Sequence, residues 1–177
     1  MVVIKNDYLS EGNKNAPVKV EVFLNLACPY CADFYELADD VLKDYITGNK
    51  VYFVVKHYDK PREMLLPGTL INLSLDYSNP AKTLENIKSL FKTQAEWDKL
   101  SNHEIKSLLE NEYQLKEEPD NIEISLTVTA EAIERSVKMV PTVFINEQEF
   151  QFPKEISAAE LKDVIEQGLA KEYIQKS

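Results

Sequence analysis

Cysteine is nearly absent from this 177-residue chain: Cys28 and Cys31 are the only two. With no cysteine elsewhere to pair, neither can take part in a long-range disulfide. Histidine is equally scarce, and a structural zinc site would have only His57 and His103 to add to the cysteines. These two lie far apart and do not form a ligand pair. Basic residues are outnumbered, 20 Lys and Arg against 30 Asp and Glu, for a formal charge of -10. That balance disfavours nucleic acids and anionic membranes as partners, since both are held mainly by Lys and Arg. No stretch approaches the roughly 20 apolar residues of a membrane span. Met1 to Leu9 holds one Lys, one Asp and no apolar run of a secretory leader, so a cytoplasmic protein is expected. Only four glycines are present and no Gly/Ser tract, while 44% of residues are hydrophobic and 28% charged. Such a composition belongs to an ordinary globular protein, either one domain or one domain carrying an insertion.

What is present begins with Val18 to Leu26, which alternates and then becomes continuously apolar, as a central strand does. Cys28-Pro29-Tyr30-Cys31 follows at the head of a helix pattern. Pro29 suits a first helical turn because its missing N–H would have had no partner there. Phe34, Leu37, Ala38, Val41 and Tyr45 mark the apolar face of that helix, Asp33 to Asp44 its solvated face, and Gly48 its stop. Val51 to Val55 reads as a second strand ending at Lys56-His57, which completes a βαβ unit with the cysteines at the carboxyl edge of a parallel pair. Residues 61–119 instead show helical repeats, with a capping box at Ser101 to Glu104, and read as an inserted helical domain. The aromatics Phe91, Trp97 and Tyr113 of this insertion are expected to pack its core. A further helix, about Asp120 to Lys138, brings Ile124, Val128, Ala132 and Ile133 to the core. A hairpin follows, Thr142 to Asn146 and Glu149 to Phe152 about a Glu147-Gln148 turn. The last helix opens on Ser157 to Glu160 and carries Leu161, Val164, Ile165 and Leu169 on one face. Residues 1–60 and 120–177 thus form one discontinuous domain around the insertion.

Two thiols at a helix start can close a small disulfide ring. The unpaired N–H groups there, with the helix dipole, favour the thiolate of the first. Cys28 is therefore the expected nucleophile, and Cys31, one turn further in, the resolving thiol. A purely structural disulfide across four residues would close too small a loop to stabilise much. His57, at the end of the second strand, is a candidate modulator that tunes the thiolate or shuttles a proton. His103, inside the cap, reads as surface, and Tyr30 as an exposed ring beside the site.

Cys28-Pro29-Tyr30-Cys31 after a strand and Val140-Pro141-Thr142 before a hairpin, with helices between, together resemble the DsbA-like members of the thioredoxin superfamily. The resemblance runs from about Ala16 to the last helix. It implies an α/β thioredoxin fold with an all-helical insertion between the βαβ unit and a cis-proline hairpin. It further implies that Pro141 is cis and packs against the cysteines, and that the backbone at Val140 binds an extended substrate segment. The resemblance has two departures. The acidic residue that the family often has six positions before the first cysteine is Val22 here, with Glu21 turned to the opposite face, and the Pro29-Tyr30 dipeptide is closer to that of glutaredoxins. The expected activity is thiol-disulfide exchange with protein or peptide partners, without a bound cofactor or metal. Glutaredoxin-like exchange with small thiols and a redox-sensing binding module are the alternatives, and the direction of electron flow is open.

Overall fold

The structure is a computed structural model that describes residues 7–176. Met1 to Asn6, two thirds of the segment read above for a leader, lie outside the described residues, as does Ser177. Five strands form one mixed sheet: β1 (Leu9–Glu11), β2 (Val18–Leu24), β3 (Val51–His57), β4 (Thr142–Ile145) and β5 (Gln148–Gln151), in the order β1-β3-β2-β4-β5. β2 and β3 are parallel, joined by α1 (Pro29–Thr47), and the other pairings are antiparallel. β1 has no counterpart in the sequence reading, because three residues with one buried side chain are too short to show a period.

Strand β2 explains the layering. Val18, Val20, Val22 and Leu24 point to one face and join Phe34, Ala38 and Leu42 of α1 and Leu161 and Ile165 of α7 (Ala158–Lys176) in the main core. Lys19, Glu21 and Phe23 point to the other face, where α6 (Asn121–Glu134) supplies Val128 and Ala132 to a smaller cluster. The helical segment α2 (Leu66–Asn72), α3 (Pro80–Lys92), α4 (Gln94–Trp97) and α5 (Asn102–Tyr113) shares the main core through Leu84, Ile87, Leu90 and Ile105. Trp97 and Phe91 are buried there, the Trp97 indole donating to Leu90 O at 2.8 Å, and Ser101 and Glu104 form the capping box.

Three details differ from the sequence reading. Along α1 Phe34 and Ala38 are buried as expected, but Tyr35 and Leu42 are buried beside them while Leu37, Val41 and Tyr45 are only half-buried, because the helix packs against α3 as well as against the sheet. Helix α6 ends at Glu134 in a Schellman motif, with Ser136 at φ 58, Ser136 N donating to Ile133 O and Val137 N to Ala132 O. Its buried face carries Glu131 rather than Ile133, which is 68% exposed. The hairpin turn is Asn146-Glu147, both at positive φ, not Glu147-Gln148. Asn146 is held there from outside the hairpin: its Oδ1 accepts from Lys19 N and its Nδ2 donates to Pro17 O.

Candidate active site

The turn between β2 and α1 delivers both cysteines, as free thiols, to the carboxyl edge of the sheet. Cys28 is the N-cap of α1, and its Sγ accepts from Cys31 N at 3.3 Å, with Pro29 in the first turn. Cys28 is 6% exposed and Cys31 wholly buried, whereas Tyr30 between them is 57% exposed. Asn25 N donates to Cys31 Sγ at 3.5 Å.

The same contacts separate the two thiols electrostatically. A hydrogen bond from the Cys31 thiol lowers the Cys28 pKa from the usual 9.0 to about 7; burial opposes this, the N–H groups of Cys31 and Tyr30 add to it, and Asp33 works against it. For Cys31 burial dominates, and the neighbouring Cys28 adds to it, so its pKa is raised well above that of an ordinary thiol. One thiol is half ionised near neutrality and the other is held as a proton donor.

Val140 and Pro141 stand opposite. The Cys28 thiol is 3.6 Å from Val140 O, and the Val140-Pro141 peptide bond is cis. Thr142 Oγ1 donates to Met139 O at 2.7 Å and Lys60 Nζ to Lys138 O, which ties this loop down on both sides. A family model described as thioredoxin matches residues 6–167. The chain belongs to the thioredoxin family. No curated protein matches it. Among solved structures it is 34% identical to a conserved protein of unknown function from Enterococcus faecalis V583, with a TM-score of 0.82 and 89% of each chain covered. It also resembles Proteus mirabilis ScsC in a transitional conformation, at 20% identity and TM-score 0.75, over 94% of this chain and 75% of that one. A putative protein-disulfide isomerase from Pseudomonas syringae aligns at 18% identity and TM-score 0.69, over 90% and 98%. The helices between β3 and the cis-proline strand make this a DsbA-like version of the thioredoxin fold.

This thioredoxin-family site rests on polar side chains that sequence reading had not singled out. Asn25 Oδ1 accepts from Ala27 N and its Nδ2 donates to Tyr58 O, so it shapes the loop before Cys28. His57 reaches that loop but acts on its backbone: Nε2 accepts from Leu26 N at 3.0 Å, and Nδ1 lies 2.9 Å from Asp59 Oδ1. These two contacts hold the ring between Asp59 and the loop before Cys28. Asp59 also accepts from Asn72 Nδ2 and Ser125 Oγ. Burial pushes its pKa up, but its partners, His57 first, outweigh this and hold it below the usual value. Glu21 is buried on the opposite face from the cysteines, among Lys56, Arg135 and Glu131, and Val22 occupies the family's acidic position as an apolar core residue. His103 is exposed.

Gly68 of α2 presses directly on this loop. A Cβ there would lie 1.9 Å from Asn25 Oδ1 and 2.8 Å from Ala27 N. Because one of those atoms is backbone, Gly68→Ala is expected to destabilise the fold by about 1–3 kcal/mol. The pKa of Cys28 is expected to move with it. Chemical denaturation together with thiolate absorbance checks both, and wild-type values in each would contradict the packing described.

Proposed function

We propose that this protein is a thiol-disulfide oxidoreductase acting on protein or peptide partners through the Cys28–Cys31 dithiol. The observation that carries this reading is the unequal pair: a thiol with a pKa of about 7 at the N-cap of α1, and a buried partner thiol held protonated against it. In the reductive direction the Cys28 thiolate attacks a substrate disulfide, forms a mixed disulfide and expels one substrate thiolate. Cys31 then loses its proton and attacks Cys28 Sγ, which closes the internal disulfide and releases the second substrate thiolate. The exposed Tyr30 ring and the backbone at Val140 flank the attacking sulfur and are the proposed substrate contacts. No cofactor is required for this exchange.

The value at Cys28 also bears on direction. Nucleophile pKa values of about 7 and about 3.5 mark thioredoxin and the strong oxidant DsbA. A thiol near 7 gives the reduced form little extra stability, so reduction or isomerisation is the proposed role.

The test joins a pH profile to turnover. Iodoacetamide labelling of the reduced protein is expected to modify Cys28 alone, at a rate that rises with pH through about 7 because only the thiolate reacts. Insulin reduction should disappear once Cys28 is labelled. Undiminished turnover by the labelled protein would sink the proposal.

A further inference from the structure

Gln94, from the short helix α4 of the insertion, reaches across to the loop that carries Cys28. Its Nε2 donates to Leu26 O at 2.7 Å and to Cys28 O at 3.0 Å, and the residue is buried. We propose that Gln94 is a positioning residue for the Cys28 thiol, locking the loop carbonyls so that the first N–H groups of α1 face Sγ. The inference rests on the thiol-exchange reading above.

The argument is one of hydrogen-bond accounting. A side-chain amide nitrogen carries two hydrogens, and here each meets one carbonyl, on either side of Ala27. Leu26 is then pinned at both ends, since His57 Nε2 accepts its N–H and Gln94 donates to its C=O. The peptide unit after Cys28 has no N–H of its own, because the next residue is Pro29. Its orientation therefore depends on what binds the Cys28 carbonyl, namely Cys31 N at 3.1 Å, Ala32 N at 3.2 Å and Gln94. That same orientation sets the geometry of Cys31 N against Cys28 Sγ. The positive end of the Gln94 amide dipole also points into the loop, where it favours a neighbouring anion. Loss of the amide removes both effects, and both act in the same direction, toward the protonated thiol. The insertion thus acts on the reacting sulfur through this amide without touching it.

Gln94→Met keeps the side-chain length and removes both donors. Thiolate absorbance against pH is expected to show the Cys28 pKa raised by about 0.5–1 unit, the shift equivalent to one lost hydrogen bond of ordinary strength. A folded variant with an unchanged Cys28 pKa overturns the proposal. Should the variant fail to fold, the wild-type protein decides: the Gln94 side-chain amide protons should exchange with solvent far more slowly than those of exposed Gln167. Equal exchange rates overturn the proposal. Neither readout needs turnover, so an inactive but folded wild type would defeat the proposed function while leaving the Gln94 clamp measurable.

Discussion

Cys31→Ser is expected to turn a catalyst into a trap. Cys28 keeps its place at the N-cap and its bond from the residue-31 N–H, so it still attacks a substrate disulfide. The mixed disulfide then has no thiol to resolve it, since Cys31 is the only other cysteine in the chain, and a serine hydroxyl does not displace a sulfur. After a single encounter each molecule stays covalently joined to its partner. Non-reducing electrophoresis and intact mass should show the adduct accumulating with no further insulin reduction. Continued turnover without an adduct would contradict the assignment of Cys31 as the resolving thiol.

Lys56→Met is expected to produce the largest loss of stability. Lys56 Nζ lies 2.7 Å from both Glu21 Oε2 and Glu131 Oε1, and all three side chains are at most 1% exposed. Arg135 closes the cluster with Nη1 at 3.0 Å from each carboxylate, its guanidinium 3.8 Å from the Phe144 ring centroid. Removing the lysine leaves the two buried carboxylates to Arg135, with only the part-exposed Lys19 3.8 Å from Glu21 Oε2, and breaking such a buried pair costs about 3–5 kcal/mol. For a chain of this size that lowers Tm by roughly 10 °C. Replacing Glu131 by Leu in the same variant should recover part of the loss, because the uncompensated charge goes with it. A Tm equal to that of the wild type would show that the cluster contributes nothing. The cysteines lie on the other face, so the labelling profile of Cys28 should stay unchanged.

The same cluster gives the protein an acid limit. Glu21 is held at about 2 instead of 4.5: burial pushes it up, but the Arg135 hydrogen bond and the Lys56 charge outweigh burial. A carboxyl depressed in the folded state contributes stability that is complete above its unfolded value and is lost as the pH falls toward the folded one. That contribution should therefore drain away between about pH 4.5 and 2.

Much of the fold was legible because burial leaves a period. Val18 to Leu24 alternates because one face meets α1 and α7, and the capping box at Ser101 announces itself in four residues. Cys28 stood out by scarcity and by its place before Pro29. The hairpin turn slipped by one residue because Asn146 is fixed from outside the hairpin, by the backbones of Pro17 and Lys19. Ile133 was misplaced because a charge cluster, not apolar periodicity, decides which face of α6 is buried.

The sequence by itself determined the reacting pair and its setting: two lone cysteines at a strand-to-helix turn, a proline at the first helical position and a second proline far down the chain before a hairpin. These are local properties, set by neighbours along the chain. Only the tertiary structure decided what surrounds the pair. Asn25, His57, Gly68 and Gln94 meet at one loop from four separate elements or turns. Of these His57 was legible from its place at the end of a strand, but its contacts and those of Asn25, Gly68 and Gln94 form across the fold, between residues with no shared period or motif.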